Sequence, residues 1–202
     1  KIRVLGISNS RKMILSNSPI NLSNWEKKLD KSNDSADKEA FFSHAIKLNL
    51  RNSIFVDNTA NESIAKEYLK YLKNSIGVVT CNKIAASDVL DNYLNLKNIS
   101  RKYGSSFLFE TNVGAGLPII DTLNNLVASG DQILEIQAVL SGSLNFIFNN
   151  FKKGISFYEV TKTAQKNGYT EPDPKIDLKG IDVARKILIL ARESGIGLEF
   201  DE

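Results

Sequence analysis

The sequence is poor in the residues that most often carry acid–base and metal chemistry, with one histidine, His44, and one cysteine, Cys81, in 202 residues. A lone cysteine excludes an intramolecular disulfide, and one Cys with one His cannot assemble a structural zinc or haem site. No apolar run approaches the roughly 18 residues that a membrane span requires, and no charged segment near the N-terminus leads into an apolar one with a cleavage site. The expectation is a soluble, cytoplasmic chain without membrane contact. Charge of one sign is also missing. The 26 Lys and Arg stand against 23 Asp and Glu, a dispersed net +3. A nucleic-acid surface would need a basic stripe with interleaved aromatics, so no nucleic acid is expected as partner.

What is there is ordinary globular composition, 42% apolar and 24% charged. His44 lies in "EAFFSHAIKLN", which reads as a helix packing Phe41, Phe42, Ala45 and Leu48. A histidine so placed is a helical side chain rather than a proton-transfer group. Acid–base chemistry, if present, then falls to Lys, Asp or Glu.

The opening "KIRVLGIS" reads as a short buried strand, followed by a polar, Ser/Asn-rich, irregular excursion to about residue 36. Helices are then expected at 37–50, 61–73 and 86–103, alternating with strands at 53–59, 76–82 and 105–111. This alternation marks right-handed βαβ units in a parallel sheet, an α/β fold of the Rossmann type. The first strand and Gly-rich phosphate loop of such a fold are not in the sequence, so the sheet is expected to be partial. The pattern changes at the turn "NVGAGLP". Beyond it a helix (117–129), a long strand (132–143) and helices at 143–152, 156–167 and 177–194 suggest an α+β unit. Domains are placed at 1–112 for nucleotide binding and 113–202 for substrate binding and dimerisation, each truncated.

Several polar groups fall at strand ends, where parallel sheets bind ligands. Asn9, Arg11 and Lys12 follow the first strand, where a ribose 2′-phosphate would meet positive charge; an exposed basic turn reads equally well. In "VDNTANESIA", the N-terminal amides of the next helix face a phosphate or nicotinamide ribose, or Thr59 or Asn61 simply caps that helix. Lys83, after "VVTCN", is a ligand group or a solvated loop residue. Glu110 with the carbonyls of "NVGAG" suits a hard cation, or ends a strand in a simple turn. Asp182 and Lys186 are one helical turn apart, which is also the spacing of a routine surface pair.

Read in order, "VDNTANESIA", "VVTCNKIAAS", "ETNVGAGLPII", "LSGSLNFIF" and above all "GYTEPDPKIDLKGIDVARK" resemble homoserine dehydrogenase, in particular the dehydrogenase half of the bifunctional aspartokinase–homoserine dehydrogenases. The resemblance implies an NAD(P)-dependent oxidoreductase that interconverts L-homoserine and L-aspartate 4-semialdehyde in threonine and methionine biosynthesis. It implies that Glu171 and Asp182 hold the substrate ammonium, and that Lys186 stands at the reacting oxygen with Lys83 as the second active-site lysine. Thr59, Ala60 and Gly168 would touch the cofactor, with NADP favoured by Arg11. A Na+ or K+ ion would take Glu110 and the carbonyls of Val113, Ala115 and Leu117. A homodimer or higher oligomer, fusion to an aspartokinase, and a missing C-terminal return into the first domain are further expectations. Against these stand a related dehydrogenase acting on another semialdehyde, and a non-catalytic dimerisation module built around the strand 132–143.

Overall fold

The computed structural model describes residues 2–201. Its centre is a three-stranded parallel sheet in the order β3 (Ile54–Asp57), β4 (Gly77–Thr80), β5 (Phe107–Leu108). Helices α3 (Glu62–Ala65) and α4 (Tyr68–Lys73) connect the first pair, and α5 (Leu90–Tyr103) the second. The alternation read from the sequence is therefore present. Tyr68, Leu72, Val78, Phe107, Ile189 and Leu190 belong to one continuous buried core. The last two lie late in the chain, on α10 (Ile181–Glu193), so the main core draws on both halves of the sequence.

The opening strand departs from expectation. Gly6–Ser8 (β1) does not join the parallel sheet but pairs antiparallel with Met13–Leu15 (β2) in a separate ribbon. The cause is local: the Asn9 side chain accepts from the amides of Arg11 and Lys12, both at 2.8 Å, and folds the chain back on itself. The excursion that follows is more regular than its composition suggests. It contains helix α1 (Trp25–Asp30) with Leu29 buried, and leads into α2 (Lys38–Leu48), capped by Asp37.

The second half also differs in two places. No strand forms at 132–143. Residues 131–141 carry no regular structure, and Leu134 is 93% exposed. The apolar pattern is present, but among the described residues no neighbouring strand pairs with it through a ladder of amides and carbonyls. The chain continues through α6 (Ile119–Ala128), α7 (Gly142–Asn150) and α8 (Phe157–Lys166). The expected helix 177–194 is divided into α9 (Pro174–Leu178) and α10, because Gly180 adopts a left-handed φ of 67° between them. A second, small core of Ile147, Val160 and Ala164 joins α7 to α8.

Candidate active site

The parallel register sets Asp57 opposite Thr80, so β3 and β4 end level with each other. Asp57 is 2% exposed, and its carboxylate accepts from the Thr59 amide (2.8 Å), the Tyr68 hydroxyl and Asn82 Nδ2 (3.1 Å). Asn82 Nδ2 also donates to the Asn61 carbonyl at 3.1 Å. Burial, and then the bond to Asp57, raise the Tyr68 phenol far above its ordinary pKa, so it remains a donor. This network ties the loop bearing Thr59 and Ala60 to the loop bearing Lys83. Thr59 and Ala60 are exposed at the sheet edge, while Asn61 caps α3 by accepting from the Ser63 amide. Of the two candidate caps, Asn61 is the one used.

Across this edge stands the first turn of α10. Asp182 Oδ1 lies 3.1 Å from Lys83 Nζ, and Oδ2 lies 2.6 Å from Lys186 Nζ. One carboxylate thus bridges two ammonium groups from opposite parts of the chain. Burial alone would raise the Asp182 pKa, but the hydrogen bonds and charges of Lys186 and Lys83 outweigh it and hold the carboxyl below its ordinary range. Lys186 Nζ also donates to the Leu140 carbonyl at 2.7 Å. An ammonium has three N–H donors, and these contacts use two of them.

Glu171 is not joined to this cluster by any hydrogen bond or ion pair among the described residues. Its backbone amide donates to Asp177 Oδ2 (2.9 Å), whose Oδ1 accepts from Ser143 (2.7 Å). The carboxylate itself is exposed and has no such partner among the described residues. Gly168 follows α8 with φ 72°, a conformation that favours glycine, and is exposed.

Glu110 caps α6, its two oxygens accepting from the amides of Ile120 and Asp121 at 2.8 Å each. Between them the chain makes a tight turn, with Gly114 at φ 80° and Ala115 at φ 51°. A Cβ on Gly114 would stand 2.6 Å from Ile119 Cγ1, so only glycine fits. The carbonyls of Val113 and Ala115 accept no hydrogen bond among the described residues, whereas that of Leu117 accepts from the Ile119 amide at 2.9 Å. Carbonyls of this kind with a carboxylate are a donor set of hard oxygens, compatible with a hard cation.

In the N-terminal turn, Arg11 is exposed and its guanidinium is unpaired among the described residues, while Lys12 Nζ is spent on the Asp30 carbonyl. No hydrogen bond or ion pair among the described residues links this turn to Lys83, Asp182 or Lys186. His44 Nε2 contacts the Ser16 carbonyl at 3.1 Å, a structural role on α2. The parts of the site that sequence reasoning missed are Tyr68, Asp177, and two arginines of α10, Arg185 and Arg192, which bond to Ser87 and to the carbonyls of Ala86 and Asp88. Tyr68 and the arginines read as ordinary helix residues, and only the polar end of β3 at Asp57 offered a signal.

A parallel sheet with helical crossovers, whose carboxyl edge presents a lysine faced by a helix bearing an Asp–Lys pair, defines an α/β protein with charged groups gathered where such sheets bind ligands. The family models agree in detail: "Homoserine dehydrogenase, NAD binding domain" matches residues 1–110, and "Homoserine dehydrogenase" matches residues 118–202. The chain belongs to the homoserine dehydrogenase family. It is 46% identical over 202 residues to bifunctional aspartokinase/homoserine dehydrogenase 1, chloroplastic, of Zea mays, covering all of this chain and 22% of that one. It is 45% identical over 186 residues to the homoserine dehydrogenase of Schizosaccharomyces pombe, covering 90% of this chain and 49% of that one. Among solved structures, a hyperthermophilic archaeal homoserine dehydrogenase in complex with NADPH has a TM-score of 0.75 at 27% identity, covering 94% of this chain and 59% of that one. A Candida auris protein of unknown function has a TM-score of 0.88 at 36% identity, covering 98% and 56%. The chain therefore spans half or less of the curated relatives named here. No helix among the described residues is long and apolar enough to cross a membrane.

Proposed function

We propose that this chain supplies the reaction centre of an NADP-dependent homoserine dehydrogenase that interconverts L-homoserine and L-aspartate 4-semialdehyde. The observation that carries the reading is the bridged trio, Lys83–Asp182–Lys186, at the carboxyl edge of the parallel sheet. When bound, the nicotinamide supplies the hydride acceptor or donor. The chain's own part is to hold the substrate and manage the hydroxyl proton. Lys186 offers its remaining N–H to the reacting oxygen, stabilising charge there and exchanging the proton, while Asp182 and Lys83 fix its position. Glu171, with its carboxylate exposed, reaches with Asp182 for the substrate ammonium.

Thr59, Ala60 and Gly168 serve as cofactor contacts. Asn9 shapes the turn from which the unpaired Arg11 meets a 2′-phosphate, which favours NADP over NAD. A Na+ or K+ ion takes Glu110 and the carbonyls of Val113, Ala115 and Leu117; the left-handed Ala115 and the carbonyls of Val113 and Ala115, free among the described residues, support this reading. Residues 1–112 form the nucleotide-binding part and 113–202 the part for substrate and dimerisation. The exposed Leu134, Ile136 and Val139 support assembly into a homodimer or larger oligomer. The working compartment is the cytoplasm, and the whole protein carries an aspartokinase domain as the bifunctional relatives do.

The test is semialdehyde-dependent NADPH oxidation by the full-length protein, beside its Lys186→Ala variant. Turnover should fall by about 10²–10⁴ in the variant with the fold intact. Near-normal kcat would remove Lys186 from the mechanism, and an inactive wild type would redirect the reading to another semialdehyde or a structural role.

A further inference from the structure

The lower part of α10 grips the same segment whose side chain its upper part contacts. Arg185 Nη1 donates to Ser87 Oγ (3.1 Å), and Ser87 Oγ donates to the backbone carbonyl of Lys83 (2.8 Å). Two turns further on, the fully buried Arg192 side chain donates through Nη1 to the carbonyls of Ala86 (3.2 Å) and Asp88 (2.6 Å). Its Nε and Nη2 hold the Leu198 carbonyl at 3.1 and 2.9 Å. Glu193 beside it is buried as well, accepting from the Tyr93 hydroxyl and from Lys97 Nζ at 3.0 and 2.9 Å. These charge-assisted bonds fix α10 to the turn 83–88 and to α5.

We propose that Arg185 and Arg192 are positioning residues: by holding the backbone of 83–88, they set where the Lys83 ammonium stands relative to Asp182 and Lys186. The argument turns on what the ion pair cannot do alone. The Lys83–Asp182 contact is formed by side chains 25% and 59% exposed, and a pair so open to water with a flexible lysine stem does not define a geometry. The planar guanidinium of buried Arg192, with the part-buried Arg185 bond to Ser87, does. α10 therefore carries two of the three charged groups directly and places the third through its backbone, and relaxing the arginines separates the trio without removing any member. The consequence for turnover rests on the dehydrogenase reading above; the consequence for the 83–88 segment does not.

The experiment uses the full-length protein with Arg185→Gln, and with Arg192→Lys, which keeps the charge and loses the planar fork. Amide hydrogen exchange across 83–88 should quicken by about tenfold or more in each, while exchange in β3 and β4 stays at the wild-type rate. In turnover, kcat should fall by about tenfold with the KM for NADPH unchanged, and Arg185→Gln should cost nothing further in a Lys83→Ala background. Unchanged exchange in 83–88 would overturn the clamp, and a full additional loss in the Lys83→Ala background would overturn its action through Lys83. A wild type that does not oxidise NADPH would instead overturn the dehydrogenase reading, and the exchange rates would still decide whether α10 holds the segment.

Discussion

The loop that carries Lys83 rests on the large core beneath the parallel sheet, whereas the loop that carries Glu171 is backed by a cluster of three buried side chains, Ile147, Val160 and Ala164. The first loop is also cross-linked by the buried Asp57–Tyr68–Asn82 network. The second is held by exposed hydrogen bonds, from the Glu171 amide to Asp177 and from Gln165 Nε2 to the Pro172 carbonyl, by the stacking of Tyr169 on Phe146, and by the proline-started helix α9. Local stability follows buried contact, so the two loops should open at very different free energies. A division of labour follows. The groups proposed to handle the hydroxyl proton sit on the stiff side, and the carboxylate proposed to grip an incoming ammonium sits where movement is cheap.

The comparison can be broken most forcefully at Asp57. Asp57→Ala would strand the Tyr68 hydroxyl, the Thr59 amide and the Asn82 amide without their buried acceptor, and should cost about 3 kcal/mol of stability. Denaturant unfolding measures it; a loss below about 1 kcal/mol would mean that the Lys83 side is no better supported than the Glu171 side. A smaller effect is expected at Glu171. With an exposed, unpaired carboxylate, Glu171→Gln should leave stability within about 0.5 kcal/mol of wild type. It should raise the homoserine KM by about tenfold. A stability change larger than the kinetic one would reverse the assignment of the two loops.

The smallest effect sharpens the site itself. The Asp182 carboxyl is held below its ordinary range, so its charge adds stability above the unfolded-state pKa, and that contribution fades as pH falls through the lowered folded value. Thermal unfolding of wild type and Asp182→Asn should therefore differ near neutral pH and converge in strong acid. Because the side chain is 59% exposed, the neutral-pH gap should be slight. Curves that stay parallel into acid would show that the carboxylate is not held by its two lysines.

Much of this was legible in the sequence, for definable reasons. The βαβ alternation shows because strand and helix impose different apolar periods. Lys83 and Glu110 were found because polar residues at strand ends are conspicuous, and Asp182 with Lys186 because one turn of helix brings them together. The Lys83–Asp182 pair was not readable from spacing, since nothing local records that α10 folds back across β4. Tyr68 was hidden for a related reason: an aromatic on a helix looks the same whether its hydroxyl meets water or a buried carboxylate. The strand expected at 132–143 failed because periodicity reports which face is apolar, not whether a partner strand exists. The break before α10 was missed in the expected helix 177–194, because the apolar period runs on through Gly180 and does not record its left-handed conformation.

The contacts that fix α10 join residues 96 to 106 positions apart, from Glu193 with Lys97 to Arg192 with Ala86. Closing so long a loop costs entropy that is returned only when both ends are present. During synthesis, β3, β4 and β5 with their helices can assemble as soon as they emerge, because their contacts are local. A nascent chain that stops short of Ile181 therefore has a sheet and one of the three charged groups, and the Lys83–Asp182–Lys186 trio is complete only when α10 arrives.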